Sequence, residues 1–267
     1  MTKISATLLA VIGFVAISAN RLAPYGVNDV DVAGALQPPS GRHWLGTDEL
    51  GRDVASRVLV ATQASLQIAV AAVAFAFIVG VAAGLVAGYL GGWTDAVLMR
   101  VVDVMFAFPV LLLALAVVAV LALGTTTTIL AIGIVYTPIF ARVARASTLS
   151  VRVEPFVAVS RTLGAGRVYI LGWHILPNIA GPVIVQTSLS LAFAILSEAA
   201  LSFLGLGIQP PEPSWGRMLF DAQGFMHRAW WMSVFPGAAI FVTVLAFNLF
   251  GDGLRDVLDP KQRARQC

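Results

Sequence analysis

From residue 65 to residue 90 no side chain carries a charge. That run exceeds the ~18 residues that separate a buried core helix from one able to cross a bilayer. Inside hydrocarbon every backbone N–H and C=O must be satisfied within its own segment, so the run has to be helical. A shorter apolar run lies at residues 4–19, and four more predominantly apolar segments occupy 95–123, 129–143, 183–206 and 233–250. Charged residues make up 12% of the chain against ~25% in a soluble domain, which leaves too little polar surface for life in water. The expected fold class is all-α, a polytopic membrane protein with six transmembrane helices.

The stretches between these segments carry the detail. Residues 4–19 read either as a first span or as a signal peptide ending near Ala16-Ile17-Ser18. The span is favoured, because the membrane segments that follow need no secretion signal. Residues 20–62 are polar and turn-rich. There Thr47 is expected to cap a helix whose first turn holds Asp48 and Glu49. Leu50, Val54, Val58 and Ala61 would form its apolar stripe along the bilayer interface. In the second span Gly80, Gly84 and Gly88 recur every fourth residue, which strips one face of side chains and invites close helix packing. Arg100 and Asp103, three residues apart, are expected to pair, and Pro109 to kink the third span. In the fifth span Gln186, Ser190 and Ser197 share a helical stripe flanked by Glu198, the one carboxylate deep inside a span. They are candidates for lining a polar pathway. Helix packing or a structural hydrogen bond is the alternative, and a proton relay is weakened by the lack of a basic partner in neighbouring spans.

Residues 151–182, VRVEPFVAVSRTLGAGRVYILGWHILPNIAGP, form a basic amphipathic island between the fourth and fifth spans. Arg152, Arg161, Arg167 and His174 alternate with Phe156, Leu163, Tyr169 and Ile175. Two short helices are expected, the first broken by Gly164 and Gly166 and the second ended by Pro177. A loop that merely reverses the chain needs less than this, so the island is read as a contact surface.

Positive charge orients the whole. One side collects Lys3, Arg100, Arg142, Arg145, Arg152, Arg161, Arg167, Arg255, Lys261, Arg263 and Arg265; the other holds Arg21, Arg42, Arg52, Arg57, Arg217 and Arg228. The excess places both termini and the island in the cytoplasm. The net charge of +3 is spread among loops and gives no reason to expect nucleic acid.

Enzymatic chemistry finds no footing. The only lysines are Lys3 and Lys261, and neither follows a glycine, so no phosphate-binding loop exists. Gly-x-Ser-x-Gly and His-Glu-x-x-His are absent. His43, His174 and His227 lie on separate loops without metal-site spacing, and the single cysteine, Cys267, excludes an internal disulfide or a Cys-based metal site.

Four stretches then resemble a known family. Gly164, ten residues, and Ile175-Leu176-Pro177 match the cytoplasmic EAA loop of binding-protein-dependent ABC importer permeases. GTDELGRDVASRVL (46–59), EAALSFLGLGIQPPEPSWGRML (198–219) and GDGLRDVLDP (251–260) resemble the peptide/nickel subfamily, specifically its C-type inner-membrane subunit. One position departs: Ala158 stands where the loop's naming glutamate belongs, followed by Val159 and Ser160, and the nearest acid is Glu154.

The resemblance implies the type I ABC importer permease fold, with residues 1–62 as first span, external loop and interfacial helix, 63–252 as the permease core and 253–267 as a cytoplasmic tail. It implies a second homologous permease, two ATP-binding subunits that use ATP and Mg, an external substrate-binding protein, and a bacterial plasma membrane location, with no cofactor in this chain. It also implies that the island docks on an ATPase through Phe156, Arg161, Leu163, Gly164, Tyr169, Ile175 and Pro177. Di- or oligopeptides are the expected substrate, with nickel complexes or haem as alternatives. A proton-driven secondary transporter is the rival from another class, opposed by the solitary Glu198 and the lack of a visible repeat.

Overall fold

A computed structural model describes residues 2–258 of the chain. Lys261, Arg263, Arg265 and Cys267, and so most of the expected tail, lie outside the described residues. α1 (Thr2–Leu22) packs on α2 (Val54–Leu90) and on α10 (Trp231–Leu258), burying Ala16 and Ala19. α3 (Gly92–Phe106), α4 (Val110–Leu121) and α5 (Thr125–Val151) follow α2. The island holds α6 (Pro155–Thr162) and α7 (Arg167–Tyr169), and α7 runs on through a π-helical turn (Ile170–Ile175) into α8 (Leu176–Phe203). α9 (Trp215–Ala222) lies in the loop before α10.

The pairing of α2 with α5 is the centre of the core, and the glycine stripe makes it. A methyl group on Gly80 would come within 2.5 Å of the Thr137 carbonyl oxygen, and one on Gly84 within 2.4 Å of that of Ala141. On Gly88 it would meet Thr148 at 2.8 Å. The contacts advance in the same order along both helices, so α2 and α5 run parallel. The chain must therefore return between Leu90 and Thr125, and α3 with α4 makes that crossing as one span broken by 94°. Among the described residues, five unbroken helices and this bent pair give six candidate crossings.

Three local expectations need correction. Asp53, not Thr47, caps the second span: its Oδ2 accepts from Ser56 N at 2.8 Å, and α2 starts at Val54. Gly51 adopts a left-handed turn (φ 77°) that no helix accommodates, so Asp48 and Glu49 stay in the loop and Thr47 hydrogen-bonds Gly34 O instead. No separate interfacial helix forms, because Leu50 lies in that loop while Val54, Val58 and Ala61 belong to α2. At 37 residues α2 is about 55 Å long, well beyond a hydrocarbon core of about 30 Å. Its first turns are held by Trp215 Nε1, which donates to Val58 O (3.3 Å). Finally, Asp103 accepts from Arg142 Nη2 on α5 (2.7 Å) rather than from Arg100, and Arg145 Nη2 binds Asp95 (2.6 Å). Eight residues along α3 thus correspond to three along α5, so α3 crosses it obliquely.

Candidate functional site

The island is built from its ends inward. At its start Arg152 Nη1 donates to Gly88 O (2.7 Å), pinning the chain to the last turn of α2. Pro155 then occupies the first turn of α6, where its missing N–H leaves no bond unmade. The helix stops at Gly164 (φ 84°): Gly164 N donates to Arg161 O and Ala165 N to Ser160 O, the paired bonds of a glycine C-terminal cap. A side chain on Gly164 would meet nothing within 4 Å, so the demand for glycine here is conformational, not steric.

Beyond the hinge the expectation for Pro177 fails. It ends no helix, because it sits in the first turn of α8, and Arg167–Phe203 is one continuous apolar helix. The π turn supplies the adjustment, with Leu176 N bonding to Leu171 O five residues back. The second half of the island, residues 167–182, is therefore a helical extension of α8.

Its side chains divide cleanly. Val157, Ile170 and Ile175 are buried and fasten the island to itself and to α8. Ser160 Oγ and His174 Nε2 meet at 3.1 Å, and the His174 ring lies against Phe156 and Tyr169. Leu163 (81% exposed), Val168 (85%) and Trp173 (73%) face outward, with Phe156, Val159 and Tyr169 exposed beside them. Arg161 approaches the Tyr89 ring at 5.5 Å, and Arg167 and Ala158 are exposed. Of the named contact residues, Phe156, Arg161, Leu163, Gly164, Tyr169 and Pro177 are exposed; Ile175 is not. Val168 and Trp173 were passed over. Their signal was apolar character directly beside the basic Arg167 and His174 of an amphipathic island.

The stripe on α8 is mostly enclosed. Gln186 is half-buried and donates to Ser190 Oγ (3.1 Å). Ser190 is fully buried, and Ser197 meets the Tyr136 hydroxyl at 3.1 Å, joining α8 to α5. Glu198 is also fully buried and accepts from Ser202 Oγ (2.7 Å). Ser197 thus ties α8 to α5, while the bonds of Ser190 and Glu198 stay within α8, and all three are enclosed by this chain.

At the opposite end from the island, the loops before α2 and α10 form a charged layer. Arg52 Nε binds Asp48 Oδ2 (2.7 Å) and Arg57 Nε lies 3.5 Å from the same oxygen, with all three side chains buried. Burial and the neighbouring Asp48 raise the Glu49 carboxyl above the usual range. Glu49, Arg52, Arg57, Arg217 and Asp221, with Pro210 and Pro211, line a cleft of about 130 Å³.

Residues 80–264 match the family described as binding-protein-dependent transport system inner membrane component. Over 266 residues the chain is 43% identical to a probable D,D-dipeptide transport system permease protein of Escherichia coli strain K12, covering 100% of this chain and 89% of the relative. It is 44% identical over 250 residues to a dipeptide transport system permease protein of Alkalihalophilus pseudofirmus (94% and 82%). With a glutathione transport system permease protein of Escherichia coli O6:K15:H31 it shares 47% over 262 residues (98% and 86%). Among solved structures it superposes on the MetNI methionine ABC transporter in an inward-facing conformation, with a TM-score of 0.61 and 14% identity, over 77% of this chain and 96% of that one. At that identity the likeness speaks for the fold alone. A multi-pass helical membrane protein with this match belongs to the binding-protein-dependent transport system inner membrane component family, as a non-enzymatic ABC importer permease whose ATPase activity resides in partner subunits.

Proposed function

We propose that this chain forms half of the translocation pathway of an importer of di- or oligopeptides, and that residues 151–182 dock on an ATPase subunit. The substrate class rests on the names of relatives at 43–47% identity. A second homologous permease would complete the pathway, two ATPases using ATP and Mg would drive it, and an external binding protein would deliver the cargo. The distribution of arginines supports cytoplasmic termini and a cytoplasmic island.

The outward-facing Leu163, Val168 and Trp173 carry the docking assignment. Exposed apolar side chains on a helical, aqueous, basic mount are what a partner groove buries. Ala158 removes a charge from this surface, yet an exposed ion pair contributes only about 0–1 kcal/mol, whereas a buried aromatic anchor contributes about 2 kcal/mol or more. ATP-driven movement of the docked subunits would then tilt α8 and α5 and alternate access to the pathway. Within the polar stripe, Gln186 is the residue we place at the pathway wall; Ser190, Ser197 and Glu198 are kept for packing.

Gly164 and Gly166 test the docking surface directly. Gly164→Asn tolerates the left-handed backbone and is expected to keep uptake of a labelled dipeptide within about threefold in reconstituted vesicles. Gly166→Trp, two residues on at an ordinary φ of −67°, fills space that is open in this chain without straining the backbone, and is expected to reduce uptake at least tenfold with the permease still in the membrane. Equal uptake by the two variants would remove the docking assignment.

A further inference from the structure

The docking island is made of two halves that belong to different spans. Its first half, α6, is held to the C-terminal turn of α2. Arg152 Nη1 donates to Gly88 O (2.7 Å) just ahead of α6, and the Arg161 guanidinium lies over the Tyr89 ring at 5.5 Å, within reach of a cation–π contact. Its second half, from Arg167 onward, is continuous with α8 as far as Phe203. Gly164 (φ 84°) stands between them in open space, so the backbone alone leaves a joint there. The exposed apolar side chains are divided across that joint: Phe156, Val159 and Leu163 before it, Val168, Tyr169 and Trp173 after it.

One polar contact closes the joint. Ser160 Oγ donates its only proton to Phe156 O (2.8 Å), so in the 3.1 Å contact with His174 it is the imidazole Nε2 that donates. Among the described residues this is the one hydrogen bond between α6 and the stretch 167–203. The His174 ring centre lies 6.1 Å from that of Phe156 and 5.5 Å from that of Tyr169, one exposed aromatic from each half. Buried Val157, Ile170 and Ile175 add attraction, but the hydrophobic effect has no direction of its own. The hydrogen bond has one, and it sets how the halves face each other.

We propose that His174 is a positioning residue that latches α6 to the extension of α8 through Ser160, so that both halves of the docking surface meet an ATPase as one pre-formed body. This deepens the docking assignment above and rests on it. A surface already held in its bound shape loses less freedom on docking, and so binds tighter for the same contacts. The latch also passes one displacement to α2 and α8 together, because each half is tied to one of them. The role requires an N–H at the reach of Nε2. Glutamine carries one the same number of bonds from Cα; leucine and phenylalanine carry none, although phenylalanine keeps a ring beside Phe156 and Tyr169.

Hydrogen exchange tests the latch without any transport. In the complete importer in vesicles, without nucleotide, amide exchange across residues 156–163 is read by mass spectrometry. His174→Leu is expected to speed it about fivefold, the scale of one lost hydrogen bond, while His174→Gln stays within about twofold of the wild type. In a Ser160→Ala background, His174→Leu is expected to add nothing further, because the bond is already gone. Unchanged exchange in His174→Leu, fast exchange in His174→Gln, or full additivity with Ser160→Ala overturns the latch. Should His174→Leu fail to assemble, His174→Phe keeps the ring, lacks the donor and is expected to exchange as fast; a wild-type rate there overturns the latch too.

A second measurement reads docking itself, as the ATPase concentration that half-saturates vesicles carrying the permease pair. His174→Leu is expected to raise it about fivefold at an unchanged melting temperature, and His174→Gln to leave it within about twofold. A purely structural role would instead lower the melting temperature and spare half-saturation. Wild-type half-saturation in His174→Leu overturns the positioning role. The docking assignment fails in a different way: ATPase would then bind a Leu163→Ser, Trp173→Ser double variant as tightly as the wild type, whatever exchange shows. Failure of the latch alone leaves that double variant weakened and exchange in His174→Leu unchanged.

Discussion

The two ends of α8 are finished in opposite ways. At the far end Gly207 and Gly216 have no room for a methyl group, Trp215 is buried, and charges such as Asp48 and Arg52 are paired out of water. At the island end Gly164, Gly166 and Gly172 border open space, apolar side chains stand in solvent, and the nearby Arg142–Asp103 pair is half-exposed. The far end closes tightly around its own glycines and buried ion pairs. The island end presents surface without a cover, as a docking element must before its partner arrives.

Substitutions at the two ends should therefore fail differently. Asp48→Asn leaves Arg52 and Arg57 buried with a weakened partner and is expected to have the largest effect, about 3–5 kcal/mol of stability, read as a lower melting temperature and lower accumulation in the membrane. Replacing Leu163 and Trp173 together by serine is expected to leave melting unchanged while weakening co-purification of the ATPase by about 2 kcal/mol or more. A drop in melting temperature there would mean that the island packs on its own chain. Asp103→Asn, at a solvent-exposed pair, is expected to alter stability by less than about 1 kcal/mol, an effect that should vanish in high salt. If Asp103→Asn matched Asp48→Asn, the contrast between the two ends would collapse.

What could be read in the chain beforehand follows the same division. Apolar runs longer than a bilayer crossing left helices as the sole option, and glycines at every fourth position marked the α2 face that meets α5. Gly164 was legible as a helix stop because a left-handed cap is a local property. Choices that depend on a distant neighbour were not legible. Thr47 and Asp53 are both good caps, and only the left-handed turn at Gly51, held against Asp31, decides between them. Asp103 lies at pairing distance from Arg100 in sequence, but Arg142 arrives from another helix. A polar stripe such as Gln186, Ser190 and Ser197 has the same spacing whether it faces water or Tyr136, so its burial could not be foreseen.

The corner between α3 and α4 has a further consequence. Twelve residues of α4 reach only about 18 Å, short of a hydrocarbon layer of about 30 Å, so the oblique α3 and the turn at residues 107–109 must sit partly at acyl-chain depth. Backbone that leaves the helical ladder there is tolerated only against protein or trapped water, never against bare lipid tails. Residues 107–109 are exposed in this chain, so a solitary copy diluted into membrane would have to cover that elbow with water or with a neighbouring protein.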